Sequence, residues 1–123
     1  MLKSILLVGV GSFFGGVLRY VVSVLMKGVS YHGFPWGTLA VNLIGCFLMG
    51  LLFALFAKCG NISNSLVLLL TVGFCGGFTT FSTFANESLQ MLQSGNITGL
   101  VGYVASSLIF GIALVALGYF IVK

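Results

Sequence analysis

The sequence predicts an all-α integral membrane protein with four transmembrane helices in a single domain, residues 1–123. Hydrophobic residues make up 59% of the chain and charged residues 5%, whereas soluble domains carry about 25% charged residues. The chain therefore has too few charges to cover a water-facing surface. Apolar runs near 20 residues are long enough to cross a bilayer, and four of them can be drawn, at about 4–26, 35–57, 65–92 and 97–122.

The first span is expected to belong to the mature protein. It is too long for the core of a signal peptide, has no clear small-residue cleavage site and is followed by three more spans. His32, in the loop that follows, is interpreted as an ordinary polar residue. The three cysteines are far apart, with no CxxC pair, so we expect them to be packing residues rather than metal ligands.

Small residues at four-residue spacing recur in the predicted helices and favour close helix packing in lipid. The pairs are Gly11/Gly15, Ser12/Gly16, Gly95/Gly99 and Ser107/Gly111. Four helices of this length enclose little interior, so an oligomer is also expected.

Polar side chains at membrane depth are the most informative residues of the later spans. They are Thr38 and Asn42 on the second span, Thr79, Thr80, Ser82, Thr83, Asn86 and Glu87 on the third, and Tyr103, Ser106 and Ser107 on the fourth. A single hydroxyl often bonds back to its own helix. Together they indicate a polar track along a cavity or pore, because such residues usually face the protein interior or water.

The segment GGFTTFSTF, residues 76–84, predicts that the third span is broken near its middle. Its glycine pair weakens the helix, and unwound backbone at membrane depth is tolerated only inside protein or along a cavity. Phe78, Phe81 and Phe84 recur every three residues, which predicts one helical stripe flanked by hydroxyls.

The track consists of hydroxyls, an amide and aromatic rings, with one carboxylate. Such neutral donors suit an anion, since their positive ends, like the edges of aromatic rings, can face it. Cation pathways usually rely on intramembrane acidic or histidine side chains. The sequence has no catalytic triad, metal-ligand cluster or phosphate loop, so we expect no enzyme.

Basic residues are scattered singly near the span ends, which indicates membrane orientation rather than nucleic-acid binding. Lys3, Lys58 and Lys123 fall on one side; Lys27 falls on the other, with Arg19 if its side chain reaches outward. This weak bias leaves two interpretations open. The chain inserts in both orientations and pairs with an inverted copy, or the small excess fixes one topology.

Three segments carry a resemblance to a known family. GFCGGFTTFSTFANE (73–87), GTLAVNLIGCFLMG (37–50) and GGVLRY (15–20) resemble the third, second and first spans of the Fluc, or CrcB-type, fluoride channels. The resemblance implies a fluoride-selective channel of the cell (inner) membrane, an antiparallel dual-topology homodimer with two pores. Passive efflux of fluoride trapped in the cytoplasm would then reduce its toxicity.

The resemblance also assigns roles by position. The fluoride pore would comprise Asn42, Phe81, Phe84, Ser82, Thr83, Tyr103 and Ser107, and Thr38 joins it, one turn before Asn42 on the same face. The backbone carbonyls of Gly76 and Thr79 would hold a structural sodium ion that is not transported. Arg19 and Glu87 match charged positions near the pore ends. Gly111 departs from relatives that extend the fourth-span hydroxyl row.

Two rival interpretations come from other functional classes. A small multidrug or cation exporter also has four short spans, but such exporters resemble one another in a glutamate on the first span, and this chain has none there. A non-transporting membrane assembly factor would have small-residue faces, but it would not need Asn42 and an interior row of hydroxyls.

Overall fold

Four long apolar spans make up most of the part of the chain that the structure describes. The computed structural model describes residues 1–26 and 34–122, so the predictions on Lys27, His32 and Lys123 lie outside the described residues. The spans are Leu2–Leu25, Trp36–Cys59, Asn64–Gln93 and Ile97–Val122, each long and apolar enough to cross a membrane. The prediction of a four-span, all-helical membrane protein is confirmed, with span ends that agree to within two residues.

The third span is not one continuous α-helix. It begins as a short α-helical turn, Asn64–Val67, where the Ser63 hydroxyl accepts a hydrogen bond from the backbone N–H of Leu66. The backbone then runs as a π-helix over Leu68–Cys75 and as a last α-turn over Gly76–Phe78. A second helix, Phe81–Gln93, completes the span.

The first span packs against the first half of the third span, at Gly11 and Gly15. A Cβ at Gly11 would overlap the Leu69 carbonyl oxygen, and one at Gly15 would overlap the Phe74 carbonyl oxygen. Backbone therefore meets backbone, which side chains larger than hydrogen would prevent. The prediction of close packing at this pair is confirmed.

The second and fourth spans pack along each other through different glycines. A Cβ at Gly50 would overlap the Val115 carbonyl oxygen, and one at Gly118 would lie 2.5 Å from the Phe47 carbonyl oxygen. The pairs Ser12/Gly16 and Gly95/Gly99 do not mark close helix contacts at both of their positions. Gly16 has open space where a Cβ would lie. Gly95 instead forms a turn with φ of 80°, a conformation that favours glycine.

A small apolar core lies at one end of the bundle, between the second, third and fourth spans. It consists of Leu39, Met91 and Tyr103, with Phe34, Leu43, Phe84 and Leu100 packed around them. Elsewhere the helices turn large apolar side chains outward, such as Phe13 at 64% exposure. That arrangement is expected where lipid or a second chain is the surrounding medium.

Candidate functional site

The third span is interrupted at Thr79 and Thr80, which we call the break. Both residues have extended backbone, with ψ of 160° and 124°. The Thr79 hydroxyl turns back to donate to the Cys75 carbonyl oxygen at 2.9 Å, beside the Thr79 N–H, which donates to the same oxygen. The predicted break is confirmed, directly after the glycine pair.

Asn42 of the second span binds the backbone of the break. Its Oδ1 accepts a hydrogen bond from the Thr80 N–H at 2.8 Å, and its Nδ2 donates to the Thr80 carbonyl oxygen at 3.1 Å. One side chain thus satisfies both polar groups of a residue that has left the helix. Such groups are costly to leave unpaired away from water.

Thr80 also starts the second half of the span. Its Oγ1 accepts a hydrogen bond from the Thr83 N–H at 3.3 Å and donates to the Thr83 hydroxyl at 3.1 Å. This is the pattern of a helix N-cap. The Ser82 hydroxyl lies 3.4 Å from the same oxygen, so three hydroxyls cluster at the helix start.

The backbone carbonyls of Gly76 and Thr79 are among those that lose their usual helical donors at the break. In a continuous helix the Gly76 oxygen would bond the Thr80 N–H and the Thr79 oxygen the Thr83 N–H. Those N–H groups instead bond Asn42 and the Thr80 hydroxyl. Oxygens released in this way are suitable ligands for a hard cation. The described residues contain no group of three or more His, Cys, Asp or Glu side chains that could hold a metal.

An open groove of about 360 Å³ runs past the break. Its polar lining comes from Asn42, Thr79, Thr80 and Ser107. The rest of the lining is Gly45, Cys46, Met49, Cys75, Gly76, Phe81, Phe84, Leu108 and Val115. Six of the predicted site residues therefore meet at one groove: Asn42, Gly76, Thr79, Phe81, Phe84 and Ser107.

Phe81 and Phe84 form a pair, but Phe78 does not continue it. The centroids of Phe81 and Phe84 lie 5.8 Å apart, with the rings tilted by 45°. Phe78 belongs to the preceding segment and is 2% exposed, whereas Phe81 is 78% exposed. The prediction of one stripe is wrong for Phe78, because the two extended residues at the break change the helical phase.

A second polar cluster lies beyond Phe84. The Tyr103 side chain is fully buried, its hydroxyl donates to Glu87 Oε1 at 3.0 Å, and the Thr38 side chain lies beside it. The Phe84 ring lies 4.9 Å from the Tyr103 ring, centroid to centroid. The predicted residues Thr38, Glu87 and Tyr103 are therefore grouped, and Phe84 separates them from the groove.

Ser107 is the polar residue of the groove that the fold does not satisfy. Its Oγ is buried and has no hydrogen-bond partner among the described residues. A hydroxyl buried without a partner is costly, which points to a polar atom supplied from outside the chain. One turn later, an added Cβ at Gly111 would lie 3.5 Å from Cys46 Sγ, so the hydroxyl row stops where the second span approaches.

Arg19 reaches inward to the break. Its Nε donates to the Gly77 carbonyl oxygen at 3.1 Å. A cation is favourable at this position, because the last carbonyls of the segment ending at Phe78 carry the negative end of its dipole. The structure thus places the Arg19 side chain against the third span, rather than in the outward orientation considered for it.

The central role of Thr80 was not predicted from the sequence. Thr80 is the hub of the break, with hydrogen bonds to Asn42, Thr83 and Ser82. A threonine directly before a helical segment is an N-cap signal. Its pairing with Asn42, 38 residues away in the chain, has no local signature.

A broken membrane span beside a groove of uncharged donors is the construction of channels and transporters, where irregular backbone lines a cavity. The fold and site therefore define a multi-pass membrane protein of the channel or transporter class. The family model described as CrcB-like protein, Camphor Resistance (CrcB), matches residues 6–119. The chain belongs to this CrcB family.

Three relatives resemble it over nearly their whole length, and each is named "Fluoride-specific ion channel FluC". The relative from Phocaeicola vulgatus is 46% identical over 95% of this chain and 96% of its own. That from Azobacteroides pseudotrichonymphae is 45% identical, with 100% and 98% covered. That from Leptospira interrogans is 40% identical, with 98% and 95% covered.

Proposed function

We propose that this chain is a fluoride-specific ion channel that lets fluoride leave the cytoplasm passively. Relatives named for that activity match it at 40–46% identity across nearly the whole chain. The observation that carries the proposal is the groove at the break. There a buried, unpaired Ser107 hydroxyl faces the same space as the exposed Phe81 ring and the Asn42 amide.

The proposed path suits a small, strongly hydrated anion. Fluoride that loses water must meet partial positive charge in a medium of low dielectric, where such charges act strongly. The ring edges of Phe81 and Phe84 supply weak positive contacts, and the Ser107 hydroxyl can donate a hydrogen bond. Weak neutral contacts also let the ion leave again, which conduction requires.

The hydroxyls at the break and the Tyr103 cluster would extend this path in both directions. On one side of Phe84, the hydroxyls of Ser82 and Thr83 lie next to the Thr80 hydroxyl. On the other side of Phe84 lies the cluster of Tyr103, Glu87 and Thr38. Asn42 contributes mainly by holding the Thr80 backbone, and its second amide hydrogen remains available to the groove.

A second copy of the chain, inverted in the membrane, would complete the pore. The groove at the break is open, and a neighbouring groove that shares Met49 and Gly76 with it continues the same concave face. In lipid, such a face is covered by packing with another helix surface. The weak difference in basic residues between the two sides supports insertion in both orientations.

A structural sodium ion would be held by the Gly76 and Thr79 carbonyls. Both residues line the groove, and both carbonyls have lost their helical donors. Uncharged oxygens suit a monovalent cation better than a divalent one, which usually takes carboxylates as well. When bound, the ion would supply a fixed positive charge beside the two broken spans.

Fluoride efflux from liposomes that contain the purified protein tests the proposal. With a potassium gradient and an ionophore to carry the counter-charge, we expect rapid fluoride release and negligible chloride release. Protein-free liposomes serve as the control. An assembly factor would release neither anion, and an exporter would require a coupled proton or cation, so either result would contradict the proposed function.

A further inference from the structure

Arg19 binds one of the backbone carbonyls that end the first half of the third span. The last four carbonyls of a helix have no donors within it. Here the Cys75 oxygen accepts from the Thr79 N–H and hydroxyl. The Gly77 oxygen accepts from Arg19 Nε, and the donor that would serve Gly76 is held by Asn42.

The Arg19 bond holds this last turn from the first span, whereas Asn42 holds the break from the second span. The first span approaches so closely that an added Cβ at Gly77 would lie 2.8 Å from both Cα and O of Ser12. Asn42 reaches the break from the second span at Thr80. Gly76 and Thr79 each precede one of these two anchored residues, Gly77 and Thr80, by one position, and both line the groove.

We infer that Arg19 is a positioning residue for the cation site at Gly76 and Thr79. Its Nε donates a hydrogen bond to the Gly77 carbonyl, and the Gly76 carbonyl remains available to bind the cation. The inference rests on the sodium site of the proposed function. It assigns to Arg19 a structural connection to that site instead of a role at a pore end.

Two substitutions that are nearly isosteric with each other separate the hydrogen-bond donor from the aliphatic part of the side chain. Arg19→Gln places an N–H donor at the same atom position as Nε, and Arg19→Met places a methyl group there. Sodium-specific stabilisation is measured as the shift in melting temperature of the purified protein in detergent. Sodium chloride is titrated against N-methylglucamine chloride at constant ionic strength, because a ligand of the folded state raises its stability.

We expect Arg19→Met to need about tenfold more sodium than the parent for half of the stabilisation, the scale of one charge-assisted hydrogen bond. Arg19→Gln is expected to stay within about threefold of the parent, since the donor is kept. The matched control is Ser12→Ala, which removes a bond of the same class to the Gly73 carbonyl, 3.3 Å long and one turn earlier. It should leave the sodium requirement unchanged.

Equal sodium requirements in the parent and Arg19→Met would overturn the inference, as would a Gln variant that behaves like Met. If Arg19→Met does not yield folded protein, Arg19→Lys replaces it. Its ammonium lies one atom further from the backbone than Nε, so the sodium requirement should rise, and an unchanged value would again overturn the inference. A parent without sodium-specific stabilisation would instead refute the sodium site itself, and the fluoride assay tests the channel separately.

Discussion

The Asn42 side chain pairs with both backbone polar groups of Thr80, accepting at 2.8 Å and donating at 3.1 Å. The two residues come from different spans, and the bonds hold the one place where the third span is not helical. This pairing replaces the two hydrogen bonds that a continuous helix would have made. The break is therefore a built feature of the fold, and the Asn42 amide contributes to its stability.

Substitution of Asn42 by leucine, which has nearly the same shape, tests that contribution. Both Thr80 groups would lose their partner, and each unpaired buried group costs about 1–3 kcal/mol. We expect a clear fall in melting temperature in detergent together with loss of fluoride flux. Cys46→Ser, one turn along the same groove, should change little. A fully stable Asn42→Leu protein would show that the break is held by other contacts.

Gly15 and Gly16 provide a matched test of the packing between the first and third spans. An alanine Cβ at Gly15 would overlap the Phe74 carbonyl oxygen, whereas Gly16 has open space. Gly15→Ala should destabilise by about 1–3 kcal/mol through overpacking. Gly16→Ala should be neutral or stabilising by about 0.5–1 kcal/mol, the helix preference of alanine over glycine. The measurement is thermal unfolding of the two variants in detergent. Equal melting temperatures would contradict the described packing.

The bond between Tyr103 and Glu87 predicts that the two residues act as a unit. Tyr103→Phe removes the donor to Oε1 and leaves a carboxylate unpaired, so we expect fluoride flux to fall about tenfold, the scale of one charged hydrogen bond. Tyr20→Phe, at a 70% exposed tyrosine, is the control. Adding Glu87→Gln to Tyr103→Phe should cause little further loss in flux. Fully additive losses would show that the pair is not coupled.

Cys59 is a natural probe of membrane orientation. It is exposed and ends the second span, whereas Cys46 and Cys75 are less accessible. In a variant that keeps only Cys59, a membrane-impermeant maleimide added outside intact cells should label about half of the chains if both orientations are present. Permeabilised cells give the total. Labelling of all chains or of none would contradict dual topology.

The four spans and the break could be predicted from the sequence because both depend on local composition. Apolar runs of bilayer length leave few alternatives, and the pair Gly76–Gly77 weakens the helix at a defined point. The π-helical stretch Leu68–Cys75 was not anticipated, since it has no simple composition signal.

Long-range partners could not be predicted from the sequence. Asn42 was assigned to the pore, but its bond to Thr80 depends on how the second span crosses the third. The orientation of the Arg19 side chain depends on its bond to the Gly77 carbonyl, 58 residues away in the chain. The three-residue spacing of Phe78, Phe81 and Phe84 predicts one helical stripe, which is wrong for Phe78. Residue spacing alone does not reveal the change in helical phase at Thr79 and Thr80.

Fluoride is proposed to pass along the Phe81 and Phe84 rings, and a flux measurement on a variant of the exposed ring tests this path. Phe81 is 78% exposed, so Phe81→Ile removes the ring edge with little effect on folding. Its matched control is Phe13→Ile, at a ring 64% exposed on the first span. Assembly of both variants is checked by size-exclusion chromatography before fluoride efflux from liposomes is recorded. We expect Phe81→Ile to lower fluoride efflux about tenfold or more, the scale of a lost ring-edge contact, and Phe13→Ile to match the parent. Parental efflux from an assembled Phe81→Ile protein would show that fluoride does not depend on this ring.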